Sequence, residues 1–262
     1  MANQQIIKKI ALETLNLESK SISNLSKVID ANFCEIINKL KVCNGKIVLT
    51  GIGKSAIIAM KISATLNSTG SKSMFLHLGD ALHGDIGVIG KDDIVICISK
   101  SGESKEIESF SNHLKNEDIE LIGISCIKNS MLDRLSDMFI HTEIEREACH
   151  NNLAPTTSSS CHLAIGDALA MTLQKLKGFS PSDFSVYHPS GNLGKKLSLK
   201  LKDLIDNNRI PKVKLSSTFF QIIDEISSKM YGATAVIDSG KIIGIITDGD
   251  IRRIIEKNHN ID

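Results

Sequence analysis

A serine-rich segment, Ser99–Ser104, holds side chains suited to binding a phosphate. Its sequence, SKSGES, places three hydroxyls and one glycine between an apolar run and a predicted helix. Hydroxyls and backbone amides at a helix N-terminus bind a phosphate monoester without many cations. Because a single serine would be enough to cap the helix, we predict that Ser99, Ser101 and Ser104 contact phosphate.

A second segment, GIGKS at 51–55, also follows an apolar run. It partly matches the dinucleotide fingerprint GxGxxG/A, which is weak by itself. That fingerprint needs an acid near the end of the second strand, whereas the second apolar run ends in His77, with Asp80 three residues later. A nicotinamide enzyme is therefore disfavoured. We interpret the segment as an anion-binding turn in which Lys54 and Ser55 supply a cation and a hydroxyl.

Four further ionisable residues, His83, Glu103, Glu147 and His188, lie in loops rich in small residues. A single loop histidine is more often a surface residue than a catalytic one. In combination with a predicted phosphate site, however, carboxylates and imidazoles indicate a centre that transfers protons.

A metal site is the competing explanation of the histidines. His77, His83, Glu147 and His188 could together ligate a zinc ion. The chain has neither an H-x-x-x-H nor an H-E-x-x-H spacing. We therefore expect no resident metal and no other cofactor, and regard this set as a place for an adventitious ion at most.

These residues must be positioned by the elements around them. Five short apolar runs alternate with longer segments at the period of βα units, which predicts a mostly parallel sheet with helices on both faces. Ligands of such sheets bind beyond the carboxyl ends of the strands, where the segments above lie. The runs are Lys46–Thr50, Ser73–His77, Asp93–Ser99, Glu120–Ser125 and Asp137–Thr142.

Residues 1–44 are predicted to be helical, and 156–178 to form a further long helix. The first stretch carries an apolar stripe with the 3- and 4-residue steps of a helix. The residues of the stripe are Ile22, Leu25, Ile29, Phe33, Ile36, Ile37 and Leu40.

The composition changes near residue 194. A basic stretch and the turn-like DNNRIPK predict a linker over 195–212, after a first domain over 1–194. Residues 213–262 then show a β-α-β-β-α pattern, in which Ser239-Gly240 between two apolar runs is a hairpin signal.

Composition excludes several classes of protein. The charges nearly cancel, with 31 Lys and Arg against 30 Asp and Glu, so no nucleic-acid partner is expected. No apolar run approaches the roughly 18 residues of a membrane span, and the N-terminal residues lack the apolar core of a secretory signal. The 6 cysteines are scattered without a C-x-x-C pair, which is typical of free thiols in a cytoplasmic protein.

Six segments together resemble the arabinose-5-phosphate type of the sugar isomerase (SIS) domain family: GIGKS, ALHGD, SKSGES, EACHNNLAPTTS, GDALA and HPSGNLG. The resemblance implies a three-layer αβα sandwich with a five-stranded parallel sheet of flavodoxin-like order. It also implies an aldose–ketose isomerase that interconverts D-ribulose 5-phosphate and D-arabinose 5-phosphate through an enediol, for the Kdo sugar of lipopolysaccharide. A homotetramer with shared active sites is expected, since such histidines often come from a neighbouring subunit in this family.

For a reaction of this kind we assign hypothetical roles to individual residues. Glu147 is the first choice for the C–H base, because it precedes a small-residue loop expected to face the site, and Glu103 is the alternative base or the proton shuttle. His188 would assist opening of the arabinose ring, while His83 and Lys54 would stabilise negative charge on O1 and O2. The phosphate is assigned to Ser55, Ser99, Ser101 and Ser104, which match the phosphate-binding serines of SIS domains, and the substrate-binding loops are expected to include Gly53, Thr156 and Thr157.

Residues 213–262, which contain GIITDGDIRR, are similar to one CBS repeat. The family carries such repeats as a C-terminal pair, so we expect a single repeat here with the second absent. A structural or vestigial role is favoured. A nucleotide is the alternative ligand, because Asp248 occupies the position at which nucleotide-binding repeats contact a ribose.

Two other functions stay open on the sequence. The first is another SIS isomerase acting on a heptulose or hexulose phosphate, because such enzymes share the serine loops. The second is a non-catalytic sugar-phosphate sensor, as in transcription regulators that contain an SIS domain. Only about 45 residues precede the predicted sheet, and the charge is balanced, which disfavours a DNA-binding head.

Overall fold

The computed structural model describes residues 2–188, 206 and 209–257. The chain divides into two compact units, Met1–Leu197 and Ser198–Asp262. Each unit has a sheet of its own, with five described strands in the first and three in the second. The predicted linker over 195–212 lies mostly outside the described residues.

The first unit is built on a parallel sheet of order β2-β1-β3-β4-β5. This is the predicted flavodoxin-like order, and each strand lies on its predicted apolar run. All five carboxyl ends meet at one edge, called the carboxyl edge, and the opposite edge is the amino edge. The strands are β1 Ile47–Gly51, β2 Ser73–His77, β3 Ile94–Ser99, β4 Glu120–Ser125 and β5 Met138–His141.

Helices connect the strands and cover both faces of the sheet, which confirms the three-layer sandwich. None in the described ranges is both long and apolar enough to cross a bilayer. The helices are α1 Ala2–Asn24, α2 Ala31–Val42, α3 Lys54–Ser68, α4 Leu78–Ala81, α5 Lys105–Asn116, α6 Met131–Leu135, α7 Thr157–Leu176 and α8 Pro181–Tyr187.

Alternate side chains of β1 enter different cores, because successive residues of a strand point to opposite faces. Ile47 and Leu49 pack with residues of α2, α3 and α7, whereas Val48 packs with residues of α4, α5 and α6. The central strands are therefore apolar at consecutive positions, as is typical of a parallel sheet covered on both faces.

The prediction that residues 1–44 are helical throughout is wrong between α1 and α2. A 3₁₀ turn over Leu25–Val28 follows α1, and a new helix begins after Asp30. Asp30 is the N-cap of α2, and its carboxylate accepts a hydrogen bond from the Phe33 N–H at 3.0 Å. The apolar periodicity did not reveal this break, because Leu25 and Phe33 on either side of it are both buried.

The second unit has the predicted β-α-β-β-α order. Strand β6 (Lys212–Lys214) pairs in parallel with β7 (Ala233–Asp238), and β7 pairs antiparallel with β8 (Lys241–Thr247). The hairpin residues Ser239 and Gly240 both have positive φ, 50° and 78°, as a type I′ turn requires. The helices are α9 Phe219–Lys229 and α10 Asp248–Lys257.

Two valines offer a matched test of this core. Val48 in β1 is fully buried, whereas Val42 at the end of α2 is 71% exposed. Val48→Ala should lower the free energy of unfolding by about 2 kcal/mol, because it removes two buried methyl groups and leaves a cavity. Val42→Ala should change it by less than about 0.5 kcal/mol. Urea denaturation measures both, and equal losses would contradict the placement of β1 in the core.

Candidate active site

Three of the predicted phosphate ligands, Ser99, Ser101 and Ser104, line one pocket of about 260 Å³. This serine pocket lies at the carboxyl edge, where β3 ends and α5 begins. Ile52, from the turn after β1, and Leu78, which follows β2, form part of its apolar wall. The segments after three strands therefore converge on one place, as expected for ligand sites of open parallel sheets.

The hydroxyls of the serine loop are fixed by the loop's own backbone. Each oxygen accepts a hydrogen bond from an amide two or three residues further along the chain. A hydroxyl that accepts in this way keeps its own hydrogen to donate. Ser104 donates its hydrogen to the Glu106 carboxylate, so Ser99 and Ser101 are the two O–H donors that the loop presents in set positions. The bonds run from Gly102 N to Ser99 Oγ (3.0 Å), from Glu103 N to Ser101 Oγ (3.3 Å) and from Ile107 N to Ser104 Oγ (3.2 Å).

Gly102 allows the loop to adopt this shape. Its φ is +66°, and a Cβ at this position would lie 2.4 Å from the Ser130 Oγ. Its carbonyl oxygen accepts a hydrogen bond from Leu132 N at 3.0 Å, which docks the loop on α6. A larger residue would therefore both strain the backbone and push the loop away from α6.

The turn after β1 places a second helix N-terminus at the same edge. Gly53, with φ +58°, is the N-cap of α3 and makes no side-chain cap. Lys54 is exposed and Ser55 half-buried on the first turn of that helix. Gly53, Lys54 and Ser55 were all predicted from the sequence as site residues. None of them lines the serine pocket, but they directly follow Ile52, which does.

Glu147 is fully buried, and its carboxylate is surrounded by donors. Oε1 accepts from the Ser158 hydroxyl at 2.6 Å and pairs with the Lys100 ammonium at 2.9 Å. Oε2 accepts from the amides of Thr156 and Ser158 at 2.8 and 3.2 Å and from the Thr156 hydroxyl at 3.2 Å. Both amides lie at the start of α7, so the carboxylate caps that helix.

This environment does not suit the predicted role of Glu147 as the C–H base. Burial would raise the pKa of Glu147, but hydrogen bonds from Ser158, the Thr156 amide and Lys100 outweigh it and lower the pKa to about 2. Such a carboxylate is a weak proton acceptor at neutral pH, and its lone pairs are already occupied. The geometry fits a positioning role for Glu147 instead.

The predicted sugar ligands Thr156 and Thr157 lie beside this carboxylate. The Thr156 hydroxyl donates to Glu147 and accepts from Ala148 N at 2.9 Å. The Thr157 hydroxyl is buried and has no hydrogen-bond partner among the described residues. Neither hydroxyl belongs to the lining of the serine pocket.

Glu103, the alternative base, is hydrogen-bonded to the start of α6 and does not line the serine pocket. Its Oε1 accepts a hydrogen bond from Met131 N at the start of α6, at 2.9 Å. The carboxylate that does line the serine pocket is Glu106, on the first turn of α5. Hydrogen bonds from its own amide and from Ser104 lower the pKa of Glu106, so it is ionised at neutral pH. Sequence reasoning missed Glu106, because an acid in a first helical turn is ordinarily explained by the helix dipole.

His77 and His83 lie near the carboxyl end of β2. The Nδ1 of His77 is 3.6 Å from the Asp80 carboxylate. His83 is exposed in the loop after α4, and its side chain makes no hydrogen bond or ion pair within the described part of the chain.

His188 lies at the other edge of the sheet. Its ring stacks on Phe184 with centroids 3.8 Å apart. The preceding Tyr187 contacts the Phe179 ring at 5.7 Å, and Phe179 covers Gly70 just beyond the end of α3. Because α3 begins at the carboxyl edge, its end marks the amino edge, so His188 does not reach the serine pocket of its own chain. The rest of the HPSGNLG segment lies outside the described residues.

The four residues considered for zinc are therefore not gathered in one chain, because His188 is separated from the other three. Across residues 2–188, 206 and 209–257, no three His, Cys, Asp or Glu side chains form a group that could hold a metal ion.

The low pKa of Glu147 has a consequence for stability. Since the pKa falls from its ordinary 4.5 to about 2 on folding, the ionised group stabilises the fold above pH 4.5, and this contribution is lost as the pH falls towards 2. Glu147→Gln should lower the free energy of unfolding at pH 7 by at most about 3 kcal/mol, with a difference that shrinks between pH 4.5 and 2. Urea denaturation across this range measures it.

The exposed Glu143 supplies the control, and Glu143→Gln should show no such pH dependence. A deficit of Glu147→Gln that stayed constant from pH 7 down to pH 2 would contradict the ionised, hydrogen-bonded state of Glu147.

Comparisons with known proteins agree with the sequence resemblance. A family model described as SIS domain matches residues 39–172, and one described as CBS domain matches residues 201–257. A probable arabinose 5-phosphate isomerase of Haemophilus influenzae is 40% identical over 250 residues, which cover 95% of this chain and 74% of that protein. The arabinose 5-phosphate isomerase KdsD of Francisella tularensis is 43% identical over 250 residues, which cover 94% of this chain and 76% of that protein.

The fold is also found among solved structures. An E. coli CFT073 protein in complex with arabinose 5-phosphate matches with a TM-score of 0.68 and 39% identity, over 72% of this chain and 100% of that chain. With an SIS model over the sheet and isomerases of this kind similar along nearly the whole sequence, the chain belongs to the SIS-domain family of arabinose 5-phosphate isomerases.

Proposed function

We propose that the protein interconverts D-ribulose 5-phosphate and D-arabinose 5-phosphate. The observation that carries the proposal is the serine pocket, where three hydroxyls, the N-terminus of α5 and the carboxylate of Glu106 meet. The choice of these two sugars rests on membership of the arabinose 5-phosphate isomerase family. The product would serve synthesis of the Kdo sugar of lipopolysaccharide in the cytoplasm, a location that the unpaired state of the six cysteines supports.

The phosphate of the substrate binds in the serine pocket. Ser99 and Ser101 donate their hydroxyl hydrogens to it, while the Ser104 hydroxyl, which caps α5, lies beside them and donates to Glu106. Ser55 and Lys54 approach from the start of α3. The partial positive charge at the N-termini of α3 and α5 stabilises a bound phosphate dianion with few Lys or Arg side chains. This is consistent with the net charge of +1 for the chain.

Among the described residues, Glu106 is the carboxylate that lines the serine pocket, and we assign the proton transfer to it. A carboxylate removes one proton from C1 of ribulose 5-phosphate, and the electron pair forms the 1,2-enediol. The same group returns the proton to C2, while the hydroxyl proton of O1 moves to O2, which leaves the aldehyde at C1 and a hydroxyl at C2 of arabinose 5-phosphate. No electron leaves the sugar, so the carboxylate and the hydroxyl protons suffice.

His188 acts from a second copy of the chain, whereas His83 already lies near the carboxyl end of β2. His188 lies at the amino edge and cannot reach its own serine pocket, whereas a neighbouring chain can bring it there. Ile6, Ile7 and Ile10 of α1 are 57%, 59% and 58% exposed, and an apolar stripe of this kind supports assembly. We therefore propose a homotetramer with shared sites, in which His188 assists ring opening and His83 faces the developing charge.

The role of Glu106 can be tested by Glu106→Gln, which keeps the shape of the side chain and removes its basicity. It should lower kcat for ribulose 5-phosphate by about 10²- to 10⁴-fold and leave the affinity for inorganic phosphate within about threefold. Glu108→Gln, on an exposed position of the same helix, should keep kcat. Steady-state kinetics with ribulose 5-phosphate and the affinity for inorganic phosphate, measured for both variants, test these expectations.

An unchanged kcat in Glu106→Gln would remove Glu106 from the mechanism. A panel of sugar phosphates run on the parent protein tests the activity itself. Turnover of a hexulose or heptulose phosphate instead would indicate another SIS isomerase, and binding without any turnover would indicate a sensor.

Sharing of the site between chains predicts complementation. His188→Ala and Glu106→Gln should each be nearly inactive, because each removes one half of the site. Co-expressed in equal amounts with different tags, they should recover up to about a quarter of the parent activity, since random assembly gives that share of sites with both groups intact.

Purification through both tags in turn shows that the mixed assembly has formed. A mixed assembly with no more activity than the single variants would contradict the sharing of His188 between chains.

A further inference from the structure

Lys100 lies within the serine loop, yet its side chain does not line the serine pocket. Its ammonium is 2.9 Å from the Glu147 Oε1, and the side chain is 35% exposed. Its main-chain carbonyl accepts hydrogen bonds from Ser125 Oγ at 3.0 Å and Cys126 N at 3.1 Å. The residue is therefore held at both its backbone and its side-chain end.

Glu147 is a rigid partner for this lysine. Its side chain is 0% exposed, and four other hydrogen bonds tie it to the first residues of α7. The ion pair thus joins the serine loop, which follows β3, to the N-terminus of α7 across the carboxyl edge.

Other groups around Glu147 do not replace the charge of Lys100. Burial lowers the pKa of His162 to about 4 and raises the pKa of Cys126 to about 11, so both are neutral at pH 7. Their side chains contact each other, with His162 Nε2 3.5 Å from Cys126 Sγ. Arg146 donates to the Glu147 main-chain carbonyl rather than to its carboxylate. Among the described residues, Lys100 is the cation paired with this carboxylate.

We propose that Lys100 is a positioning residue, which holds the serine loop in its phosphate-binding shape by pairing with Glu147. The proposal rests on the function proposed above, since it assumes that the serine loop binds the substrate phosphate. Without the ammonium, the buried carboxylate would lose its counter-charge, a costly state that the surrounding loops would relieve by moving. Ser99 and Ser101, on either side of Lys100, would then lose their set positions.

Lys100→Met tests the proposal. It should raise KM for D-arabinose 5-phosphate and the Kd of inorganic phosphate about tenfold, because a small misplacement of the binding groups weakens every contact with the phosphate. Its kcat should stay within about threefold of the parent. Lys100→Arg keeps the charge and the donors, and should recover most of the affinity. Initial-rate kinetics and calorimetry with inorganic phosphate supply these values.

A matched ion pair at the amino edge supplies the control. Lys46 is 32% exposed and its ammonium lies 2.5 Å from Asp93, whose side chain is 4% exposed. Lys46→Met should lower the stability, as Lys100→Met does, but leave KM and phosphate affinity unchanged. If Lys100→Met lowers only the stability, Lys100 is an ordinary structural residue and the proposal is wrong.

A double-mutant cycle separates positioning from direct contact with the phosphate. If Lys100 acts through Glu147, adding Lys100→Met to Glu147→Gln should weaken phosphate binding much less than it does in the parent. Equal losses in both backgrounds would mean that the ammonium binds the phosphate itself, which overturns the proposal.

Failure of the proposal for Lys100 can be distinguished from failure of the proposed isomerase function. A parent protein that binds phosphate but does not isomerise arabinose 5-phosphate would refute the function, while the calorimetric arm would still decide on Lys100. An active parent with an unaffected Lys100→Met variant would refute Lys100 alone.

Discussion

The arrangement of side chains at the carboxyl edge of the sheet depends on which groups neutralise the positive N-terminal ends of the helices that begin there. Amides in the first turn of a helix have no partner inside the helix, and together they carry partial positive charge. Glu147 satisfies the start of α7, and Glu103 satisfies the start of α6. At α3 and α5, by contrast, no carboxylate from another loop is bound in the described part of the chain. The start of α5 is capped instead by its own Ser104 hydroxyl, while α3 begins at Gly53 without a side-chain cap.

The same constraint separates acids that hold the site together from the acid that faces it. A buried carboxylate with five donors cannot also accept a proton from a sugar, because its lone pairs are used and its pKa is low. Glu147 therefore holds the start of α7 and the Lys100 side chain in place. Glu106 is exposed and belongs to the lining of the serine pocket, so access, rather than charge state, is what distinguishes it from Glu147 and supports the role proposed for it.

The fold and the placement of the serine loop at the carboxyl edge could both be predicted from local patterns in the sequence. Apolar runs such as Asp93–Ser99 are local signals, since a strand covered on both faces must be apolar at consecutive positions, and SKSGES at the end of such a run lies at the carboxyl edge in any parallel sheet. The break before α2 was missed, because burial on both sides of Asp30 continued the helical period. The stripe of apolar residues predicts burial, whereas a cap depends on a single side chain.

The different surroundings of the three carboxylates could not be predicted from the sequence, because they depend on long-range contacts. Glu103, Glu106 and Glu147 are the same residue type in or beside loops at the carboxyl edge, and no local pattern distinguishes a helix cap from a base. The distinction comes from partners far away in the chain, such as Lys100 for Glu147 and Met131 for Glu103. Hydrogen bonds and burial from these partners set both the direction and the pKa of each carboxylate, and such contacts exist only once the loops have been brought together at one edge of the sheet.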